Sequence, residues 1–89
     1  MKHLNITVTG RVQGVGYRNA AKREARILGI NGFVKNKYDG SVYIEAEGES
    51  PELDEFIKWC WEGPAWAHVE NVLVYEGAIQ NLSSFETAY

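Results

Sequence analysis

The sequence predicts an α+β sandwich: an antiparallel four-stranded sheet with two helices on one of its faces. Three observations carry this expectation. Period-two stretches are interrupted by two stretches of three- and four-residue period, in the order strand, helix, strand, strand, helix, strand. Each helical stretch has a single apolar stripe, so the two together can cover one sheet face and not both. The outward residues of the first and third strands are mostly polar, which suits a solvated opposite face.

Taken in order, Leu4, Ile6 and Val8 alternate with Asn5, Thr7 and Thr9, a half-buried strand reaching about Arg11. Gly10, Gly14 and Gly16 break any regular element, so residues 12–16 read as a loop. From Tyr17 the period lengthens: Tyr17, Ala20, Ala21, Ala25 and Leu28 form a helical stripe, Lys22, Arg23, Glu24 and Arg26 take the other side, and Gly29 is the stop. A second strand covers about Gly32 to Tyr38, and Asp39-Gly40 is a strong turn signal before a third at Ser41 to Glu47. Ser50 and Pro51 suit the start of a second helix, whose stripe is Leu53, Phe56, Ile57 and Cys60 and whose end is Gly63-Pro64. A fourth strand runs from about His68 to Tyr75, and Phe85 to Tyr89 is a candidate short edge strand. Asn5, Thr7, Thr9, Tyr43, Glu45 and Glu47 are expected on the open face. Right-handed crossovers then favour the ferredoxin-like split βαβ arrangement, βαββαβ. That fold hosts many unrelated functions.

Composition sets the outer limits. The 89 residues are expected to form a single domain over 1–89, with no linker, repeat or low-complexity stretch. No apolar run approaches the roughly 18 to 20 residues of a membrane span, and the opening Met1-Lys2-His3-Leu4-Asn5 is read as strand rather than signal peptide. Cys60, the one cysteine, cannot form an internal disulfide, which fits a cytoplasmic protein. A net charge of −3 argues against broad nucleic-acid binding but leaves room for a local anion site.

Such a site is suggested by Gly10-Arg11-Val12-Gln13-Gly14-Val15-Gly16-Tyr17-Arg18, which joins a strand end to a helix start. A helix N-terminus offers N–H groups and partial positive charge to an anion. Glycines let successive N–H groups curl into one concavity, and an arginine in the first turn can grip the same anion through paired hydrogen bonds. Taken alone, such a loop is more often a tight turn than an anion site, and an arginine in a first helical turn is usually solvated. Neither the Gly-Lys-Ser/Thr of a P-loop nor dinucleotide-loop spacing is present. Asn36, a poor strand former, shares a face with Val34. It either opens the turn before Asp39-Gly40 or points to the helix side, where Arg18 lies.

Together the two segments resemble the paired signatures of the acylphosphatase family. Gly10 to Arg18 is similar to that family's Gly-Arg-Val-Gln-Gly-Val-x-aromatic-Arg loop at every fixed position. Gly32 to Val42 resembles its Gly-aromatic-Val-x-Asn-x-x-Asp-Gly-x-Val pattern, and Gly63-Pro64, Ala67, Val69 and Val72 resemble its link into the fourth strand. The likeness spans nearly the whole chain. It implies the same ferredoxin-like fold and metal-independent hydrolysis of small-molecule acyl phosphates, with no cofactor and no phosphoenzyme. The backbone N–H groups of Gln13, Gly14, Val15, Gly16, Tyr17 and Arg18 and the Arg18 side chain would bind the phosphoryl oxygens. Asn36 would hold the attacking water. Inorganic phosphate or sulfate would occupy the same cradle, and the chain would act as a monomer, without nucleic acid or membrane. The chain departs from the family at Thr87, where an aliphatic residue is usual.

The other chemical side chains read as structure. Cys60 falls on the apolar stripe of the second helix. His3 and His68 have no metal-ligand spacing. Trp59, Trp61 and Trp66 read as packing or rim residues, with Trp66 or Tyr17 a candidate border of the acyl pocket. Glu45, Glu47, Glu49 and Glu52 read as a solvated face, and Arg11 as structural at a strand end. An RNA-recognition domain shares the element order, but Ser41 to Glu47 lacks its basic, aromatic third-strand motif and would repel phosphate. A regulatory domain that kept the fold without activity is a second alternative, against which the pairing of Arg18 with Asn36 speaks.

Overall fold

The structure, a computed structural model, describes residues 1–88. The elements are β1 (Lys2–Arg11), α1 (Tyr17–Ile27), β2 (Asn31–Asn36), β3 (Val42–Gly48), α2 (Ser50–Glu62), β4 (His68–Gly77) and β5 (Phe85–Thr87). They form one sheet in the order β4-β1-β3-β2-β5. β1 pairs antiparallel with β3 and β4, and β2 antiparallel with β3. The two central strands are the ones whose alternation is cleanest. Ile6, Val8, Val42 and Ile44 are fully buried on one face, together with Val34 of β2.

That face meets both helices. Tyr17, Ala21 and Ala25 of α1 and Leu53, Phe56 and Cys60 of α2 complete the core. α1 lies over β2 and β5, while α2 lies over β4 and the centre of the sheet. Tyr17 of α1 and Phe56 of α2 are the largest of these side chains, and the rest of the α1 contribution is the small Ala21 and Ala25. No helix among the described residues is long and apolar enough to cross a membrane.

The four strands expected to be antiparallel are so, and the candidate edge strand is a true strand, β5, which runs parallel to β2 and makes the whole sheet mixed. Gly32 N–H donates to Ser84 O at 2.7 Å and Ala88 N–H to Val34 O at 2.8 Å, which brackets the strand. Phe85 anchors it, 1% exposed and edge-on to the Phe56 ring at 6.0 Å. Tyr89, the last residue of the expected edge strand, lies outside the described residues. β2 stops at Asn36, not Tyr38, because Lys37 N–H turns to Ser41 O and Gly40 N–H to Lys37 O.

A further correction concerns the open face. Glu47 is not solvated but buried, as is His3 beside it. The chain between β4 and β5 has to pass from one sheet edge to the other, and it crosses at this end. Glu47 accepts hydrogen bonds there from the N–H groups of Gln80 and Leu82, the latter at 2.8 Å. His3 links the same carboxylate through Nδ1 at 2.8 Å and Glu45 through Nε2 at 2.9 Å. The crossing segment is therefore buckled onto the sheet by a His-Glu cluster that local alternation could not reveal.

Candidate active site

The opposite end of the sheet carries the loop between β1 and α1. Its two inner glycines adopt left-handed backbone, Gly14 at φ 73° and Gly16 at φ 81°. A Cβ at either would meet nothing within 4 Å, so conformation and not crowding requires glycine. Gly16 is the N-cap of α1 and makes no side-chain cap, and no acidic residue occupies the first turn. Helix geometry leaves the first N–H groups of α1 without intrahelical partners. They face an end of the helix that the sequence leaves uncapped.

Around this end lies a cavity of about 180 Å³ lined by Val12, Gly14, Gly16, Tyr17, Arg18, Asn19, Asn36 and Thr87. Arg18 comes from the first turn of α1 and Asn36 from the last residue of β2. Asn36 shares the helix side of the sheet with Val34, so of its two sequence readings the structure takes the one that points it toward Arg18's helix. Among the described residues the cavity wall contains one cation, several amide and hydroxyl groups, and no carboxylate, imidazole or thiol. Such a wall can hold an anion and a water. None of the described wall residues has an ionisable group suited to proton transfer near neutral pH.

Gln13 and Val15 are not on the wall. Gln13 Nε2 instead donates to Lys37 O at 2.7 Å and Ser41 O at 2.9 Å, tying the loop to the turn beyond Asn36. Across that turn, Ser41 donates from its N–H and its hydroxyl to Asp39 Oδ1 at 2.9 and 2.6 Å. These bonds hold the Asp39 carboxyl below its usual range. Val15 packs against the core. The loop and the strand end that supply Arg18 and Asn36 are thus joined to each other by one glutamine side chain.

Tyr17 belongs to the core more than to the mouth. It is 1% exposed, its hydroxyl donates to Cys60 O at 2.8 Å, and its ring lies 5.2 Å from that of Trp59. Burial pushes its phenol far up. Burial likewise pushes the Cys60 thiol up to about 12, leaving an inert side chain. Trp66 is exposed and absent from the cavity wall. Among the described residues no group of His, Cys, Asp and Glu is placed to hold a metal ion.

Three wall residues, Val12, Asn19 and Thr87, went unassigned in the sequence. Asn19 follows Arg18 in the first turn, where its position beside the loop motif was the available signal. Thr87 reaches the wall only because β5 pairs with β2, so its one signal was its departure from the family pattern.

Comparison with known proteins gives the family of the chain. The acylphosphatase family model matches residues 4–87. An acylphosphatase of Archaeoglobus fulgidus is 51% identical over 86 residues, 97% of each chain. One of Thermotoga petrophila is 44% identical over 89 residues, 100% of this chain and 99% of the other. The crystal structure of acylphosphatase from Bacillus subtilis superposes with a TM-score of 0.98 at 36% identity, covering 100% of both chains. The chain belongs to the acylphosphatase family and hydrolyses acyl phosphates.

Proposed function

We propose that this chain, acting as a single cytoplasmic domain and a monomer, hydrolyses acyl phosphates without metal through Arg18, the loop backbone and Asn36. The observation that carries the reading is the wall of the cavity. It unites an arginine, an uncapped helix N-terminus and the Asn36 carboxamide, with no acid–base side chain beside them among the described residues. The phosphoryl group sits against the N–H groups of residues 13–18, with the Arg18 guanidinium bonded to two of its oxygens. Inorganic phosphate or sulfate takes the same place.

The chemistry suits a site without a base. The leaving group is a carboxylate whose conjugate acid has a pKa of about 4, by analogy with Asp and Glu, so it departs without a general acid. Phosphoryl transfer depends mainly on position and charge stabilisation. Asn36 holds a water in line with the acyl oxygen. The water oxygen forms the new P–O bond as the acyl P–O bond breaks, and the bonding pair leaves with the carboxylate. A phosphoryl oxygen takes the water's proton. The products are a carboxylate and inorganic phosphate.

The test is turnover of an aryl acyl phosphate in the presence of a chelator, beside Arg18→Gln and Asn36→Ala. Each variant is expected to remain folded and lose on the order of 10² to 10³ in rate. Variants that match the parent, or a parent that needs added metal, would overturn the mechanism.

A further inference from the structure

Charge in this chain is divided along its length. Eight of the nine lysines and arginines lie before residue 38, together with one of the twelve carboxylates. That stretch holds the loop, α1 and β2, so most of the elements that wall the cavity are the basic part of a molecule whose net charge is −3. A positive surface of this kind draws in anions.

One part of it meets the cavity directly. A shallow cleft on α1 is lined by Asn19, Lys22, Arg23, Arg26 and Ile27, and Asn19 also lines the cavity. These residues recur at three- and four-residue steps, so they form one helical stripe that begins at the cavity rim. Four residues of helix span about 6 Å, which is the rise from Asn19 to Arg23. Helical side chains lean toward the N-terminus of their helix, and the N-terminus of α1 is at the cavity, so Lys22 and Arg23 lean back toward the rim. Their partners differ. Arg26 Nη2 and Lys22 Nζ lie 3.2 and 3.9 Å from the Glu86 carboxylate of β5. Arg23 is exposed and makes no ion pair among the described residues.

The reaction geometry decides which end of a substrate meets this stripe. In-line displacement puts the acyl oxygen on the side of phosphorus away from the attacking water. Asn36 holds that water from the sheet, whereas the wall residue that α1 exposes is Asn19. The acyl group therefore leaves across Asn19 and over Lys22 and Arg23.

We propose that Lys22 and Arg23 form an acyl-side subsite that selects acyl phosphates whose acyl part carries a second anionic group. The planar donor fork of Arg23 takes that group by two parallel hydrogen bonds, and Lys22 adds charge beside it. The subsite rests on the in-line reading of Arg18 and Asn36 given above. Lys35 and Lys37 line a separate cleft with Gln13, Asn36 and Tyr38, and their ammonium groups sit 5.8 and 5.4 Å from the centre of the Tyr43 ring. They are on the water side of the site and do not read the acyl group.

The experiment measures kcat/KM for 4-carboxybenzoyl phosphate and for benzoyl phosphate at low ionic strength. The ratio of the two is compared among the parent, Arg23→Gln, Lys22→Gln/Arg23→Gln and Lys37→Gln, so that differences in anhydride reactivity and in folded fraction cancel. Loss of one charge-assisted contact on an exposed helix is expected to lower the ratio about fivefold in Arg23→Gln, and further in the double variant. Lys37→Gln removes an equal charge on the water side and should keep the ratio within about twofold of the parent. Equal ratios in the parent and the double variant overturn the subsite. A fall in Lys37→Gln as large as that in Arg23→Gln overturns it too, because the effect is then a general field. Arg18→Gln is the control for the underlying reading and should lose turnover of both substrates. A parent that hydrolyses neither, or an Arg18→Gln that matches the parent, sinks that reading and the subsite with it. An active parent whose ratio no variant changes sinks the subsite alone.

Discussion

Gly16 shows how a single residue can serve both backbone and ligand. At φ 81° it is in a region that costs an L-residue roughly 1 to 2 kcal/mol, and it opens the helix whose N-terminus faces the cavity. Gly29, at the other end of α1, has φ 72° and equally open surroundings. Alanine at either position should therefore lower stability by a similar roughly 1 to 2 kcal/mol, as read from urea midpoints. Their effects on catalysis should differ. Gly16→Ala disturbs the N–H groups that the proposed mechanism sets against the phosphoryl oxygens and should raise KM and weaken phosphate inhibition, while Gly29→Ala should leave both unchanged. Comparable KM values in the two variants would mean that the loop conformation is not what binds. The first motif made this glycine conspicuous in the sequence, because glycine spacing in a strand–helix loop has few explanations. Nothing comparable marked Thr87, whose place on the wall comes from a strand partner more than fifty residues away.

Two elements at opposite ends of the sheet depend on contacts of long sequence separation. β5 is three residues long and is held by its pairing to β2 and by Phe85. Removing that ring is expected to cost about 3 to 5 kcal/mol, on the order of 12 °C or more in Tm for a domain of this size. Because β5 also brings Thr87 to the wall, Phe85→Ala should lower kcat even below its melting temperature. A variant that melts early yet turns over normally would separate β5 from the site. At the other end the crossing segment is held by His3 and Glu47. Burial works against charge on His3, but its hydrogen bonds to Glu47 and Glu45, and their charges, outweigh it and raise its pKa above 6.5. Burial also works against charge on Glu47, and the N–H groups of Gln80 and Leu82 together with His3 outweigh it and lower its pKa below 4.5. The His3 contribution is thus complete below pH 6.5 and is lost as pH rises through its raised value. The Glu47 contribution is complete above pH 4.5 and is lost as pH falls through its lowered value. The stability difference between the parent and His3→Gln should be largest between those limits and shrink on the alkaline side. Urea midpoints at pH 5.5 and 8.5 that differ by the same amount would contradict this. Activity should not follow His3, since the cluster lies at the far end of β1 from the cavity.

Ligand binding and folding are coupled in the molecule as a whole. The cavity wall draws on β1's loop, α1, β2 and β5, so an anion bound there stabilises elements that meet only in the folded state. Inorganic phosphate at a hundred times its Kd should add about 2.7 kcal/mol to the stability of the parent. Arg18→Gln should show little of that gain at the same concentration. An equal rise in Tm for both proteins would point to a salt effect spread over the surface and not to this cavity.

Much of this protein was written in local pattern. The strands β1 and β3, both helices and the turn at Asp39-Gly40 follow from periodicities of two and 3.6 and from turn chemistry, which act over a few residues and leave direct traces in sequence. Arg18 and Asn36 stood out because each sits within a motif whose spacing has a chemical purpose. What local pattern could not hold was the meeting of distant parts. The parallel pairing of β5, the burial of His3 and Glu47 beneath residues 78–84, and the arrival of Thr87 on the cavity wall depend on which segments become neighbours. A side chain's neighbours across a sheet leave no period in its own segment, so those features belong to the tertiary structure alone.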